Sequence, residues 1–297
     1  MIKVKVPATS ANMGAGFDCM GIALSLYNII EITKTASGLE IIDENSKGIQ
    51  NENNLIYRAM DTVFEKVGER PEGLKIVQKS KIPRTRGLGS SSACIIGGMV
   101  GANALTGKQL SYEQILDMAV QMEGHPDNVT PALFGGMCVS AMSGEKTAFK
   151  SIKLDSEYKF AVIIPDYFVA TKKSRGVLPE SYSKEDSVFN ISRAALLVAA
   201  LATGDDKLLK TAVEDRMHQP YRKAYIDGME EIFEKTYAAG AKATYLSGSG
   251  PTVLSILDDE TKDFKMKMEE YFKESGNEWR CKVLSVYNVG TVVHYID

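Results

Sequence analysis

Pro83-Arg84-Thr85-Arg86-Gly87-Leu88-Gly89-Ser90-Ser91-Ser92-Ala93 packs two glycines and three serines into eleven residues. Before it, Leu74 to Lys79 predicts a strand. After it, small and apolar residues run to Leu105 and predict a buried helix, ended by Thr106-Gly107. A helix start leaves its first N–H groups without intrahelical partners and carries the positive end of the dipole, so it seats an anion such as phosphate. Glycine lets the main chain approach that anion closely. Hydroxyls in the first turn can donate to phosphate or ligate a divalent cation. An ordinary loop with serine caps would give the same local pattern, so the stretch needs support from elsewhere.

Two common nucleotide motifs fail here. A P-loop needs GxxxxGK followed by Ser or Thr, but Gly107-Lys108 is followed by Gln109 and preceded by Ala102 where the first glycine belongs. The dinucleotide fingerprint GxGxxG fails at Gly14-Ala15-Gly16, Gly87-Leu88-Gly89 and Gly248-Ser249-Gly250, where its last glycine is replaced by Cys19, Ser92 and Val253.

Outward from the loop, apolar periodicity predicts the remaining elements. Towards the N-terminus, strands are expected over 2–6, 22–33 and 39–42. A helix capped by Asn53-Asn54 runs until Gly68 stops it. Towards the C-terminus, Ser111-Tyr112-Glu113-Gln114 forms a capping box for a helix reaching Met122 and stopped by Gly124. Strands follow over 135–140 and 160–164, then helices over 184–203, 205–216, 220–238 and 259–274, and strands over 251–257, 281–288 and 290–296. The polar stretch Ser143 to Tyr158 marks the expected domain boundary, dividing the chain into 1–152 and 153–297.

Five further clusters carry chemistry-bearing side chains. Glu123-Gly124-His125-Pro126-Asp127-Asn128-Val129 holds two acids, an imidazole and an amide directly after a helix. Glu123 suits a divalent cation, and His125 and Asn128 suit a polar substrate, as phosphoryl transfer requires. A helix C-cap followed by an Asx turn is the structural alternative. Pro7-Ala8-Thr9-Ser10-Ala11-Asn12-Met13-Gly14-Ala15-Gly16-Phe17-Asp18 reads as a polar, glycine-rich loop after a strand, with Asn12 and Asp18 able to hold a polar substrate and Asp18 able to pair with an ammonium. Leu246-Ser247-Gly248-Ser249-Gly250-Pro251-Thr252 allows close main-chain approach to a ligand. Thr171-Lys172-Lys173-Ser174-Arg175 and His218-Gln219-Pro220-Tyr221-Arg222 each supply an arginine, the residue that grips carboxylates bidentately. A structural turn would explain the Pro7–Asp18 and Leu246–Thr252 pieces alone, and a solvated surface arginine each of the last two.

The chain has 297 residues with 44% hydrophobic and 25% charged side chains, ordinary for a globular protein with a sizeable core. Its net charge of −3 argues against nucleic acid as the main partner. Cys19, Cys94, Cys138 and Cys281 lie far apart, with no CxxC pair and no zinc spacing, and read as buried reduced thiols. The first residues alternate polar and apolar, unlike a signal peptide, and no run approaches the ~20 apolar residues of a membrane span. The expected location is cytoplasmic, with no membrane partner.

Together, these pieces resemble the GHMP kinase superfamily, which includes galactokinase, mevalonate kinase and homoserine kinase. Its three motifs appear in order as the Pro7–Asp18, Pro83–Ala93 and Ser247–Thr252 loops. Pro-Ala-Thr-Ser-Ala-Asn with Gly-Phe-Asp, Glu-Gly-His-Pro-Asp-Asn-Val-Thr-Pro-Ala and His-Gln-Pro-Tyr-Arg are most similar to the homoserine kinase branch, across nearly the whole chain. The resemblance implies an α+β fold of two domains: an N-terminal phosphate-loop domain and a ferredoxin-like C-terminal domain, with the active site between them. It implies an ATP site built by residues 83–93 with Asn54 near the adenine, and Mg²⁺ held by Ser91 and Glu123, the choice among the three adjacent serines being open. It implies L-homoserine held by Asn12, Asp18, His125, Asn128, Thr171, Arg175 and Arg222 with Gly248 close by. It implies Asn128, Thr171 and Arg175 as the catalytic group. Family members are often dimers, so a homodimer is the implied assembly. The residues suit that substrate: Asp18 for an ammonium, Arg175 and Arg222 for a carboxylate, Asn128 for the hydroxyl. A sugar or isoprenoid substrate has no ammonium to meet Asp18, and a non-catalytic sensor would not need Glu123 and the loop serines. Asn128 stands where related sugar kinases carry a catalytic aspartate, which implies direct attack without a strong general base, with Asp127 next to it as the alternative proton acceptor.

Overall fold

The structure, a computed structural model, describes residues 1–44, 48–154 and 158–296, the side chains of residues 171 and 172 excepted. Among the described residues, eleven strands form two sheets. The first sheet holds β1 (Ile2–Ala11), β2 (Met20–Thr35), β3 (Gly38–Asp43), β4 (Gly73–Ser80), β5 (Met137–Ser143), β6 (Lys146–Ile152) and β11 (Val292–Tyr295). The second holds β7 (Lys159–Ile164), β8 (Ala243–Leu246), β9 (Val253–Leu257) and β10 (Arg280–Ser285). The helices are α1 (Leu55–Val67), α2 (Ser90–Leu105), α3 (Tyr112–Glu123), α4 (Pro126–Phe134), α5 (Thr171–Arg175), α6 (Lys184–Thr203), α7 (Leu209–Ala212), α8 (Gln219–Arg222), α9 (Met229–Ala238) and α10 (Phe264–Ser275).

The first sheet runs β11-β1-β2-β4-β3, with β5 on β2 and β6 on β5; β3–β4 is parallel and the other described pairs are antiparallel. Strand β2 pairs with β1, β4 and β5, and its inward residues Ile22, Leu24, Ile30 and Ile32 are wholly buried. Helix α2 lies against this surface because Gly97 and Gly101 have no side chain, and against α1 because Gly98 has none. A Cβ on Gly97 would sit 2.4 Å from Ile30 Cδ1, one on Gly101 2.3 Å from Ile32 Cδ1, and one on Gly98 2.4 Å from the Ile56 carbonyl oxygen of α1. The first two glycines share one helix face at i, i+4 spacing. Helix α2 is therefore buried on all sides, with its start aimed at the open edge of the core.

The second half has the chain order β7–helices–β8–β9–α10–β10 and the antiparallel sheet order β10-β7-β9-β8, the ferredoxin-like βαββαβ arrangement that the resemblance implies. Both sheet faces are covered, and the period-2 alternation of β7 shows it. Phe160, Val162 and Ile164 join the large core shared with the first sheet, while Ala161 and Ile163 join a smaller core with Ile232, Phe264, Met268 and Phe272 from α9 and α10. One strand crosses the division at residue 152: β11 returns to the first sheet and pairs with β1.

Several elements differ from the periodicity. The polar stretch read as the domain boundary carries a strand, β6, hairpinned on β5. The Asx turn after α3 is a full helix, α4, with Pro126 at its first position, where its missing N–H costs nothing. The expected helix 205–216 is cut short after Ala212, because Asp215 accepts the main-chain N–H groups of Met217, His218 and Gln219 at 2.9, 2.9 and 2.7 Å. That local side-chain competition ends a helix. The expected helix 220–238 is divided into α8 and α9 by Gly228 at φ 71°. Strand β8 had no clear signal. Helix α6 is, among the described residues, one helix long and apolar enough by length and composition to cross a membrane, which the composition reading had excluded for the chain. It buries Leu197, Ala200 and Leu201 in the core while Arg193 pairs with Glu214, the pattern of a helix lying on a core. All four cysteines are free. Burial holds the thiols of Cys19 and Cys94 at about 11 and those of Cys138 and Cys281 at about 12.

Candidate active site

A cleft of about 340 Å³ opens at the N-terminus of α2. Its wall includes Asn12, Asn54, residues 84–91, Glu123, His125, Asn128, Arg175, Arg222 and Gly248, so most residues singled out from sequence meet in one space. Pro83, Ser92 and Ala93 do not line the cleft, Ser92 and Ala93 being fully buried, and Asp18 reaches it through Arg175. The main chain of Thr171 begins α5; its side chain lies outside the described residues.

The three glycine-rich loops interlock through main-chain contacts. Gly87, at φ 76°, would drive a Cβ to 2.3 Å from the Ser247 carbonyl oxygen, and Gly89, at φ 66°, to 1.9 Å from Thr9 Oγ1. Ser247 Oγ donates to the Gly87 carbonyl (2.6 Å), and the Gly248 N–H donates to the Ala11 carbonyl (3.1 Å). Gly89 occupies the N-cap of α2 with no side-chain cap bond, which leaves the first N–H groups of the helix available for an anion.

Beside this helix start, Glu123 at the end of α3 accepts from Ser91 Oγ (2.6 Å) and Ser92 Oγ (2.8 Å) through one oxygen. Ser92 is fully buried, whereas Ser91 is exposed and lines the cleft. Asn54 caps α1, its Oδ1 accepting from the Ile56 N–H (2.9 Å) and its Nδ2 donating to the Ile49 carbonyl (2.6 Å). The loop arginines also have protein partners. Arg84 pairs with Asp43, and Arg86 donates to the carbonyls of Pro165 (3.2 Å) and Asp166 (2.6 Å).

The far end of the cleft is built from side chains. Asn12 and Asp18 have left-handed backbones, φ 68° and 54°, a conformation Asn and Asp tolerate better than most residues. Asn12 Nδ2 donates to the Gly248 carbonyl (3.0 Å) and its Oδ1 accepts the Asp18 N–H (3.1 Å), fixing the turn. Asp18 takes Arg175 bidentately, at 2.6 and 2.9 Å, and these bonds raise the guanidinium's pKa. Arg222 is 2% exposed. Burial, and after it the like charge of Arg175, lower it to about 10. Its Nε donates to the Ser174 carbonyl (3.2 Å) and its Nη1 to the Gly248 carbonyl (2.8 Å). Between the two ends, Thr9 Oγ1 donates to Asn128 Oδ1 (2.7 Å), and His125 Nδ1 meets Asp127 Oδ1 at 2.5 Å. Burial alone would lower the His125 pKa; the hydrogen bond and charge of Asp127 outweigh it and the net shift is upward.

The family model "GHMP kinases N terminal domain" matches residues 54–136, and "GHMP kinases C terminal" matches residues 197–273. A homoserine kinase of Clostridium beijerinckii is 47% identical over 99% of this chain and 98% of its own length. The chain belongs to the homoserine kinase family of GHMP kinases. The crystal structure of a homoserine kinase from Cytophaga hutchinsonii superposes with a TM-score of 0.89 at 26% identity, covering 99% of this chain and 97% of that one. A mevalonate kinase structure shares the fold with a TM-score of 0.72 at 16% identity, over 96% of this chain and 99% of that one. As a GHMP kinase, the chain is a phosphotransferase using ATP, with the α+β fold the resemblance implies.

Sequence reasoning missed some residues of this homoserine kinase family site. Ile49, Leu55, Gln78 and Cys94 line the cleft near α1 and β4, and no local pattern separates them from ordinary core residues. Thr9 lay inside a quoted motif, but its bond to Asn128 spans 119 residues.

Proposed function

We propose that this chain transfers the γ-phosphoryl group of ATP to the side-chain hydroxyl of L-homoserine, giving O-phospho-L-homoserine and ADP. The observation that carries the reading is the pairing of Asp18 with Arg175 beside the buried guanidinium of Arg222. No bond among the described residues takes Arg222 Nη2. A buried cation without its own carboxylate favours an incoming anion. An amino acid brings a carboxylate for Arg222 and Arg175 and an ammonium for Asp18, so it replaces both partners of the internal ion pair at once. Mevalonate or a sugar would leave at least one charge unpaired.

The N–H groups at the start of α2 would bind the phosphates. Ser91 Oγ and Glu123 would hold Mg²⁺, since they share a hydrogen bond in the cleft wall while Ser92 keeps the carboxylate oriented from behind. Bound there, the ion would supply positive charge to the β- and γ-phosphate oxygens. Thr9 Oγ1 donates to Asn128 Oδ1 and Asn128 Nδ2 donates to Asp127 Oδ1 at 3.4 Å, which fixes the amide in the cleft wall, where the second Nδ2 proton would orient the substrate hydroxyl. An amide cannot take the proton, and Asp127 is already committed to His125. The hydroxyl oxygen therefore attacks phosphorus directly, the bond to the ADP oxygen breaks, and the hydroxyl proton leaves to an oxygen of the transferred group. We assign to residues 1–152 the nucleotide together with the Asn12, Asp18, His125 and Asn128 side of the amino-acid pocket, and to residues 153–297, apart from β11, the arginines of that pocket, within a cytoplasmic enzyme.

Coupled ADP release is the test, with Mg-ATP and L-homoserine, mevalonate, galactose, L-threonine or no acceptor. Release dependent on L-homoserine is the expected result. Turnover with a different acceptor alone would reject the pocket reading, and silence with all of them from folded protein would reject the activity.

A further inference from the structure

His218 lies next to the amino-acid end of the cleft and has no part in the chemistry above. It is fully buried. Its Nε2 lies 2.8 Å from the Gly14 carbonyl oxygen, and its Nδ1 lies 3.2 Å from Arg222 Nη1. A carbonyl can only accept and a guanidinium can only donate. Both contacts are satisfied together by one species, the neutral ring with its proton on Nε2. An imidazolium would aim a proton at Arg222.

The surroundings hold the ring in that form. Asp215 Oδ2 is 3.6 Å from Nε2, but the Asp215 carboxylate already accepts three main-chain N–H groups and Asn190 Nδ2 (2.6 Å). Arg222 faces the ring from α8 and Asp18 from the loop before β2, while Phe17 stacks on it with ring centroids 5.5 Å apart. Phe17 also lies 5.4 Å beneath the Arg222 guanidinium and 5.6 Å beneath that of Arg175. Burial is the largest influence on His218 and lowers its pKa.

We propose that His218 is a positioning residue for recognition of the substrate carboxylate. Its unprotonated Nδ1 fixes the rotation of Arg222 so that Nη2 faces the cleft, and its Nε2–H ties that arginine to Gly14 in the turn that presents Asp18. The two ligands of the zwitterion, the carboxylate and the ammonium, are thereby held in register by one imidazole. This rests on the reading of Arg222 given under the proposed function.

Two substitutions separate the two ring nitrogens. In His218→Asn the amide oxygen can replace Nδ1 as acceptor for Arg222; in His218→Gln the amide reaches the Nε2 position and Nδ1 has no replacement. His218→Gln is expected to raise the homoserine KM about tenfold, the usual size for losing a hydrogen bond to a charged group, with kcat and the ATP KM within about twofold. His218→Asn is expected to restore most of that loss. An unchanged homoserine KM in His218→Gln, an equal rise in both variants, or a fall in kcat at constant KM would each overturn the proposal. If neither variant folds, ¹⁵N-histidine spectra of the wild-type protein decide, since the chain has only three histidines: a neutral Nε2–H ring supports it, and an Nδ1–H or imidazolium pattern overturns it. The underlying reading fails differently. A wild-type enzyme without homoserine-dependent ADP release, or an Arg222→Leu variant with wild-type homoserine KM, removes the carboxylate role itself.

Discussion

At the end of the cleft proposed for the nucleotide, the phosphate seat would be main-chain N–H groups from one continuous stretch, Gly87 to Ser92, at the start of a buried helix, with Ser91 and Glu123 beside it. At the amino-acid end they are side chains from separate stretches: Asn12 and Asp18 before β2, Asn128 on α4, Arg175 on α5 and Arg222 on α8. The first end depends on backbone shape and on the absence of side chains. The second depends on charge, and in the free protein its charges are turned on one another, Asp18 against Arg175. The two ends should therefore fail differently when changed.

The largest effect should come from adding one methyl group to the nucleotide end. Gly89→Ala would bring a Cβ to 1.9 Å from Thr9 Oγ1 at a backbone φ of 66°. It should lower kcat/KM by roughly a hundredfold, the scale for losing a preorganised donor. Ser90→Ala keeps its main-chain N–H and should stay within a few-fold of wild type. Equal losses in the two variants, measured by steady-state kinetics, would break the distinction between main-chain and side-chain recognition. At the other end, Arg175→Lys keeps the charge but loses the fork that meets Asp18. The homoserine KM should rise about tenfold while the ATP KM holds, and an unchanged homoserine KM would remove Arg175 from the carboxylate site. The smallest effect on turnover is expected from Gly98→Ala, whose Cβ would meet the Ile56 carbonyl oxygen at 2.4 Å. It should cost about 1–3 kcal/mol of stability in urea unfolding with both KM values unchanged. A shift in either KM would show that the α1–α2 contact tunes the site as well as supporting it.

The same contrast explains what could be read in advance. The phosphate loop is local: its glycines, its serines and the apolar run that follows are contiguous, so a single window predicts strand, loop and helix. The amino-acid end was found as separate motifs whose chemistry was legible but whose contacts were not. Asp18 and Arg175 were each assigned to a part of the substrate, yet they meet each other across 157 residues. Thr9 and His218 sat inside quoted motifs without a role, because their partners, Asn128 and Arg222, are set by folding. Helix boundaries after residue 204 failed where side chains compete with the backbone, as Asp215 does. Strand β6 was hidden in a polar stretch, because its exposed alternation on the edge of the first sheet resembles a linker.

A seat made of main chain has a further consequence. Every residue type except proline donates the same N–H, so ordinary substitution has little at the start of α2 with which to alter what is bound there. The amino-acid end is open to revision one side chain at a time. A lineage built on this scaffold could exchange its acceptor while the seat for its phosphoryl donor stayed the same.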